Sequence, residues 1–447
     1  MRNFFLFLIL FSILFIGCAS GNPDTLKIAV ITDIHFLSYE LVSEGKALTS
    51  YENSTGRNVK ELHEVLDKVL DDLHSEKIDI LLVAGDMSNH GELQSHKDFI
   101  NKLQPLVSSG TRIFVIPGNN DVSVPDAKAY IGDKFSPAET ISKEEFAKLY
   151  GPYGYDNSLE RDESSLSYLA EINENTRLLA FDSNRYDENT ATSISSGRIR
   201  DETMAWAINI LEEAKEQDIR IIGMMHHGLV EHMPYQSVFF SDYLIDDWQN
   251  KADMLADAGL EVIFTGHFHS NDVTLRNSPA GNVIYDVETA SLAQYPFAYR
   301  IMNLSNSELS IDTRFITSVP SNINLERDYK EKLETITRRV AQGKLGSLGL
   351  PIPEDFKNVL ADLMVKLNIA HVKGDEKPDP EMMMTIRAFA SLLENEVNIA
   401  DYSFDFPPED NKLLIEFTTL ENKTTDNNIS ESEVGEGNVQ GNKVSAE

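Results

Sequence analysis

Short apolar runs alternate with amphipathic stretches from Leu26 onward. The runs are rich in Ile and Val and mostly unbroken, which is typical of β-strands buried on both faces. They occupy residues 26–32, 78–84, 112–116, 177–181, 219–225 and 261–265. Apolar residues at helical spacing predict helices between them at 59–76, 97–106 and 202–217. This alternation indicates an α/β layered fold, and the strands predicted over 282–316 add an antiparallel segment.

The pattern changes after Pro320, where helical spacing replaces strand spacing. Residues 326–342 and 354–368 each place a row of apolar side chains on one helix face. Asp379-Pro380 has the N-cap and first-turn proline of a third helix, with Ile386, Phe389 and Leu393 facing inward. We therefore predict an α/β domain over 26–318 and a small all-α domain over 319–410. Residues 420–447 are almost free of apolar side chains, which predicts a disordered acidic tail.

The first residues have the pattern of an export signal. Arg2 supplies a positive charge, and the apolar run over 4–16 is interrupted only by Ser12. A membrane span needs about 20 residues, so this run has the length of a signal-peptide core instead. It ends in Phe15-Ile16-Gly17-Cys18, which resembles a bacterial lipobox with Phe15 where leucine is usual.

The lipobox pattern predicts a signal peptide at 1–17 and a lipid-anchored linker at 18–25. The mature protein is then tethered through lipid on Cys18 to the outer side of a bacterial membrane, in the periplasm or at the cell surface. An ordinary signal peptide followed by a chance cysteine is the alternative. Cys18 is the single cysteine of the chain, so an intrachain disulfide is impossible.

The charge balance is strongly acidic. Among 447 residues, 39 are basic and 72 acidic, which gives a formal net charge of −33. Such a surface repels nucleic-acid backbones at long range and argues against duplex nucleic acid as a partner. A small phosphorylated substrate meets the same repulsion unless metal ions supply local positive charge.

Polar side chains follow five of the predicted strands, often beside a glycine. They are Asp33 and His35, Asp86, Asn119, His226, and the pair His267 and His269. In α/β sheets, ligands bind outside the carboxyl ends of the strands. Each signal alone also fits an ordinary polar loop, whereas their joint occurrence favours one site. Carboxylates, imidazoles and an amide oxygen without thiolate suit Mn, Fe or Zn, and a bridging carboxylate suits a pair of ions about 3.5–4 Å apart.

These motifs resemble those of the calcineurin-like metallophosphoesterase superfamily over residues 26–292. The family pattern is Asp-x-His, Gly-Asp, Gly-Asn-His-Asp or -Glu, His, and Gly-His-x-His. The resemblance implies a four-layer β-sandwich flanked by helices and a cofactor of two divalent or trivalent metal ions. It also implies a first metal on Asp33, His35 and His269, and a bridging role for Asp86. The second metal is then held by Asn119, His226 and His267.

Within the superfamily, the domain order and residues 85–92 are similar to those of exported bacterial cyclic-nucleotide phosphodiesterases with a helical C-terminal domain. The similarity implies hydrolysis of a phosphodiester, cyclic nucleotides included, by a hydroxide bound to the two metals. A phosphomonoesterase is an alternative. The loops at 37–58 and 122–162 are expected to set specificity. The sequence predicts no oligomeric state.

One position departs from the family pattern. Gly118-Asn119-Asn120-Asp121 has Asn120 where the family has a histidine that contacts phosphate and assists the leaving group. An amide donates a hydrogen bond but no proton at neutral pH. The enzyme is then confined to good leaving groups, or His90 or His227 replaces the missing histidine, or the chain binds a phosphorylated ligand without turnover. Asn120 and His90 are the candidate catalytic residues.

The remaining features favour structural interpretations. His63, His74, His232 and His371 are predicted to be surface or interface histidines. A partner-docking role for the helical domain is a further alternative to an enzymatic function.

Overall fold

A computed structural model describes residues 25–234, 236–347, 353–377, 379–390 and 408–418. Within these ranges the chain forms fifteen strands and ten α-helices. The strands are β1 Leu26–Ile31, β2 Ile80–Val83, β3 Arg112–Val115, β4 Lys128–Ile131, β5 Lys134–Pro137, β6 Glu160–Arg161, β7 Tyr168–Asn173, β8 Thr176–Phe181, β9 Arg220–Met225, β10 Val262–Thr265, β11 Val273–Asn277, β12 Val283–Glu288, β13 Ala298–Leu304, β14 Glu308–Phe315 and β15 Lys412–Glu416. The helices are α1 Lys46–Thr55, α2 Leu62–Ser75, α3 Leu93–Ser108, α4 Lys143–Leu149, α5 Asp201–Glu216, α6 Gln236–Phe239, α7 Trp248–Ala258, α8 Leu325–Ser347, α9 Glu354–Lys373 and α10 Pro380–Ala390.

Two large sheets carry the fold. The first has six strands in the order β15-β14-β13-β1-β2-β3, and the second has seven in the order β11-β12-β10-β9-β8-β7-β6. Strands β1, β2 and β3 run parallel, as do β8, β9, β10 and β12. In the first sheet Ile28 of β1 lies between Ile80 of β2 and Met302 of β13. The parallel strands of each sheet therefore end at a common edge.

Side-chain alternation in the second sheet shows how the layers pack. In β8, Leu178 and Ala180 join the core shared with the first sheet, whereas Leu179 and Phe181 pack with residues of α5 and α7 on the opposite face. Helices α2 and α3 contribute buried leucines and valines to the core on the side of the first sheet. The order helix, sheet, sheet, helix confirms the predicted α/β four-layer sandwich.

The C-terminal helices form the predicted helical region. Helices α8 and α9 pack through Ala341, Leu345, Leu360 and Ala361, and α9 and α10 pack through Leu363, Met382 and Ile386. The chain then returns to the first sheet, where β15 pairs antiparallel with β14. The boundaries of the two predicted domains stay predictions.

Several predictions fall outside the described residues: the signal peptide, Cys18, Leu393 and the acidic tail. Within the described ranges, no helix combines the length and apolar character that crossing a membrane requires.

Candidate metal centre

The predicted ligands come from the carboxyl ends of strands in both sheets. In the first sheet Asp33 and His35 follow β1, Asp86 follows β2 and Asn119 follows β3. In the second sheet His226 follows β9, and His267 and His269 follow β10. Because the two sheets pack face to face, these strand ends meet at one edge of the sandwich, and the distances below show that their side chains converge.

Asp33, His35 and His269 form the first group. Asp33 Oδ1 lies 3.0 Å from His269 Nε2 and 3.7 Å from His35 Nε2, and the two Nε2 atoms are 3.3 Å apart. One ligand atom from each of the three can therefore reach the same ion. The sequence assigned this same set to the first metal.

The second group contains Asp86, Asn119, His226 and His267. His226 Nε2 lies 3.2 Å from Asn119 Oδ1 and 3.6 Å from Asp86 Oδ1. Ligand atoms of Asp33, Asp86, His226 and His267 all lie within 4.8 Å of one another. The other oxygen of Asp86, Oδ2, is 3.6 Å from His35 Nε2 in the first group. Asp86 thus faces both groups, and Asp33 also has a ligand atom in each of them. The assignment of Asp86 as the bridging ligand therefore stays a prediction.

The hydrogen bonds of the imidazoles test whether the residues fit metal ions. His226 Nδ1 lies 2.9 Å from the Ala84 carbonyl oxygen and His269 Nδ1 lies 3.0 Å from Gln294 Oε1. Both oxygens are acceptors, so each Nδ1 carries a proton, and in the neutral ring each Nε2 keeps a lone pair. Those lone pairs point at carboxylate oxygens, an arrangement that repels unless a cation lies between them. Outer partners that fix a tautomer in this way are typical of metal-binding histidines, so the residues fit metal ions.

Local electrostatics favours the neutral state for His35 and His267 but not for His269. Burial lowers the pKa of His267 to about 3. Burial would also lower the pKa of His269, but Asp33 raises it above its usual value. Burial, followed by the charge of Arg57, holds the pKa of His35 well below its usual value. Burial alone would raise the pKa of Asp33, but His269, His226 and His35 hold it well below its usual range. His35 is therefore neutral and Asp33 ionised at neutral pH, which are the states that bind metals.

The backbone at the site is strained. Asp33, His35, Asp86, His267 and His269 have φ angles of 49°, 47°, 49°, 72° and 64°. Residues other than glycine seldom adopt positive φ, and such residues cluster at functional sites. The left-handed conformation turns the chain sharply as each strand ends, which directs these side chains to one point.

Glycines beside the ligands allow the loops to approach closely. A Cβ on Gly118 would lie 2.2 Å from Asp86 Oδ1, and one on Gly266 would lie 2.6 Å from Asp33 Oδ2. Asp121 then joins the loops after β2 and β3, because its carboxylate accepts hydrogen bonds from the backbone N–H groups of Gly118, Met87 and Ser88. The close approach at Gly118 and Gly266 explains why a glycine precedes Asn119 and His267.

Asn120 faces the ligand Asp86. Its backbone N–H donates to Asp86 Oδ1 at 2.8 Å, and its side-chain Nδ2 donates to Asp86 Oδ2 at 2.6 Å. The side chain therefore positions the carboxylate that the sequence assigned as the bridge. A direct catalytic role for Asn120 stays a prediction.

The two histidines considered as replacements differ in their surroundings. His90 lies near Tyr51, with ring centroids 6.0 Å apart, and burial, followed by the charge of Arg57, lowers its pKa to about 3. The catalytic assignment of His90 stays a prediction, and its ring is neutral at pH 7. His227 uses both ring nitrogens within the protein, on Ser183 Oγ at 2.7 Å and on the Ser195 carbonyl at 2.9 Å.

Arg57 is a candidate functional residue that sequence reasoning missed. Its guanidinium donates to Tyr51 Oη at 2.8 Å and to the Asn89 carbonyl at 3.2 Å. Burial alone would lower the pKa of Arg57, yet Tyr51 and Asp86 hold it above its usual value. Arg57 thus places a fixed positive charge beside the predicted metal ligands. A single arginine in the polar loop after α1 carries no periodic signal that could have predicted this.

Comparison with known proteins identifies the family. The model of the calcineurin-like phosphoesterase family matches residues 26–271, more than half of the chain, and the chain belongs to this family. Its members typically bind two metal ions, and the Asp and His groups described above could hold them. The predicted family resemblance is confirmed. No curated protein matches the chain.

Solved structures similar to this chain include a dimetal phosphatase from Danio rerio, at 10% identity over 65% of this chain and 96% of that one, with a TM-score of 0.46. The NAD nucleotidase of Haemophilus influenzae is 15% identical over 65% of this chain and 49% of that one, with a TM-score of 0.33. A predicted phosphoesterase from Streptococcus pneumoniae is 14% identical over 65% of this chain and 90% of that one, with a TM-score of 0.26. These sequences are too distant for their activities to be transferred to this chain.

Proposed function

We propose that this chain hydrolyses phosphodiesters, cyclic nucleotides included, with two metal ions of the Mn, Fe or Zn type. Membership of the calcineurin-like phosphoesterase family supports a phosphoric ester hydrolase. The observation that carries the proposal is the convergence of carboxylate, amide and imidazole ligands from both sheets on one point.

The proposed activity assigns separate roles to the metal ligands, to Asn120 and to Arg57. Asp33, His35 and His269 would hold one ion, Asn119, His226 and His267 would hold the other, and Asp86 would serve both. Bound ions would neutralise charge on a phosphate ester and lower the pKa of a water molecule. Asn120 orients Asp86 through two hydrogen bonds. Arg57 adds a fixed cation that favours an anionic phosphate in a protein whose net charge is −33.

Binding without turnover is the second candidate function. It is favoured by Asn120, whose amide is already bound to Asp86 and has no acidic proton for a leaving group. A phosphomonoesterase needs such a proton for an alkyl leaving group as well, so this alternative meets the same objection.

A substrate panel tests the proposal. Bis-p-nitrophenyl phosphate, cyclic nucleotides, linear diesters and monoesters are assayed with Mn, Fe and Zn on the wild type and on Asp86→Ala. We expect diester hydrolysis in the wild type and its loss in Asp86→Ala, while Asp71→Ala, at an exposed position of α2, keeps the activity. A wild type that binds two metals and the phosphorylated ligand but turns over no ester would establish the binding function instead.

We also propose that the protein is exported and anchored through lipid on Cys18. The support is the apolar run at 4–16 followed by the lipobox-like sequence. Fractionation of cells that express the wild type and Cys18→Ala tests it. The wild type is expected in the membrane fraction and the variant in a soluble or uncleaved form, and equal distribution of the two would overturn the anchor.

A further inference from the structure

A second group of buried ligand-type residues lies outside the metal centre. It is found where the helical segment, formed by α8, α9 and α10, meets the second sheet. Asp272 precedes β11, His371 lies in the last turns of α9, and Glu376 follows that helix. One ligand atom from each lies within 4.8 Å of the others, and all three residues are buried. His371 Nδ1 is 3.2 Å from Glu376 Oε1 and 3.8 Å from Asp272 Oδ1.

Several polar atoms of this group have no hydrogen-bond partner. They are Asp272 Oδ1, Glu376 Oε2, His371 Nε2 and Glu288 Oε2. The exposed fractions of these residues are 0%, 6%, 8% and 0%, so bulk water does not satisfy them. An unsatisfied buried polar atom destabilises the folded state, and more strongly when it is charged. Asp272 Oδ1 is the unpartnered atom that faces the group, since it lies 3.8 Å from His371 Nδ1, and a ligand bound there would satisfy it.

The nearby side chains Arg300 and His232 compensate these carboxylates only in part. Five buried carboxylates lie in the region: Asp272, Asp286, Glu288, Glu376 and Asp410. The buried Arg300 directs its guanidinium to carbonyl oxygens of Asp272, Glu288 and Asp410 and to threonine hydroxyls rather than to carboxylates. His232 is already committed, with Nδ1 2.6 Å from Asp272 Oδ2 and Nε2 3.3 Å from Asp286.

We propose that Asp272, His371 and Glu376 bind a third divalent cation, separate from the dinuclear centre, with Glu288 as a further carboxylate beside it. Ligand atoms about 2.1 Å from one ion lie about 3.0–3.4 Å from each other. The 3.2 Å between His371 Nδ1 and Glu376 Oε1 falls in that range, and the 3.8 Å between His371 Nδ1 and Asp272 Oδ1 lies just above it. Separations of 3.0–3.7 Å occur between ligand atoms of the dinuclear centre. One imidazole with carboxylates and no thiolate suits Mn²⁺ or Zn²⁺.

The third ion joins the helical segment to the loop that carries two ligands of the dinuclear centre. Asp272 follows His269 by three positions, and Glu288 Oε1 accepts hydrogen bonds from Ser270 N at 3.0 Å and Ser270 Oγ at 2.9 Å. Phe268 of the same loop packs edge to face on His371 at 5.5 Å. The ion thereby fixes the Gly-His-x-His loop against α9.

A protonated His371 is the competing account of the same cluster. Burial lowers the pKa of His371, but Glu376 and Asp272 raise it to about 9. An imidazolium would neutralise one carboxylate without any metal. The two accounts differ in metal content, which is therefore the quantity to measure.

The test measures bound Mn²⁺ in the full chain by plasma mass spectrometry after loading and desalting. Two ions in the dinuclear centre and one in the third site predict about three per wild-type chain, and about two per chain in His371→Gln and in Glu376→Gln. His74→Gln, at an exposed position of α2, is the matched control and should keep the wild-type content. Asp33→Ala should lose the dinuclear centre and keep about one ion.

Two glutamine variants that both hold as many ions as the wild type would overturn the third site. If His371→Gln does not fold, Glu376→Gln and the Asp33→Ala variant decide the question. An Asp33→Ala protein that retains no Mn²⁺ also contradicts the proposal. Loss of the dinuclear centre alone leaves the third ion in place, so failure of the proposed enzyme is distinguishable from failure of this site.

Discussion

At the residue scale, the contact between Asn120 and Asp86 changes how the departure from the family motif is understood. The amide and the backbone N–H of residue 120 both donate to the same carboxylate. Asn120 therefore orients the Asp86 carboxylate and supplies no proton to a leaving group. The loss of rate caused by the missing proton donor then depends on the leaving group, because an activated ester needs little protonation.

Asn120→His is expected to restore a proton donor. General acid catalysis contributes about 10²–10⁴-fold, so we expect a gain of that order on diesters with alkyl leaving groups and a much smaller change on bis-p-nitrophenyl phosphate. The measurement is kcat/KM for both substrates in both proteins. Asn120→Ala, which loses the amide hydrogen bond to Asp86, serves as the control and should gain on neither substrate. An equal gain on both substrates would contradict a role in leaving-group protonation.

Arg57→Gln is expected to weaken the enzyme through loss of a cation. The guanidinium is fixed by Tyr51 and Asn89 beside the ligands, so its removal leaves less positive charge for an anionic phosphate. We expect kcat/KM for diesters to fall about tenfold or more. A loss of about 1.36 kcal/mol of transition-state stabilisation lowers the rate tenfold. Lys60→Gln, at an exposed position nearby in sequence, should leave kcat/KM unchanged. An unaffected Arg57→Gln enzyme would rule out this role.

The order of residues along the chain predicts the candidate ligands but not their electrostatic neighbours. Asp33, His267 and the other ligands each follow an apolar run directly, so local order along the chain predicts them. Arg57 and His371 reach their sites through tertiary packing that has no local signature. His232 and His371 were expected at surfaces or interfaces, and both are buried where the helical segment meets the second sheet.

At the element scale, the loops after the strands are as important as the strands. The loop after β3 approaches Asp86 so closely that residue 118 has no room for a side chain. Such loops convert a common strand edge into a site of defined geometry, because each ligand depends on a neighbouring backbone segment.

Gly118→Ala tests the close approach of these two loops. The new Cβ would lie 2.2 Å from Asp86 Oδ1 and 2.3 Å from Asp86 N, so the backbone must shift and Asp86 must move. We expect loss of at least one bound ion per chain and of diesterase activity, measured by metal analysis and assay. Gly343→Ala in α8 is the control, because its Cβ meets nothing within 4 Å and alanine favours a helix by about 0.5–1 kcal/mol. Normal metal content in Gly118→Ala would refute the steric argument.

Element prediction succeeded where strands are buried and continuous. Strands β1, β2, β3, β8, β9 and β10 all lie within one or two residues of their predicted bounds. The prediction missed β5 and β6, which are exposed along their length and so carry no apolar pattern. It also missed β4, β11 and the largely buried β7, whose apolar run is interrupted by Glu171. It also missed β15, in which only Ile415 is buried, because its pairing with β14 is a long-range contact.

At the scale of the whole molecule, β15 ties the end of the helical segment to the first sheet. Ile415 and Phe417 are buried against the sandwich, and Phe417 also lies under the Arg220 guanidinium at 4.0 Å. The helical segment is therefore an excursion between two neighbouring strands of one sheet, held at both ends.

Truncation after residue 407 is expected to destabilise the protein strongly. It removes two buried apolar side chains, each worth about 1.5–3 kcal/mol, and exposes the edge of β14. We expect the free energy of unfolding from urea titration to fall by about 3–6 kcal/mol. Truncation after Thr418 retains β15 and should leave the unfolding free energy unchanged. Equal stability of the two truncated proteins would mean that β15 contributes nothing.

The pairing of β14 with β15 has a consequence for the order of folding. Glu308 of β14 pairs with Glu416 of β15, so this contact closes a long loop that contains helices α8, α9 and α10. The entropy lost on closing a loop grows with its length, and helices that have already packed shorten the effective loop. We therefore expect β15 to dock late in refolding, after α8 and α9 have collapsed together. Until then the outer edge of β14 offers unpaired backbone groups to any other strand, which makes the nascent chain most prone to aggregation at this edge.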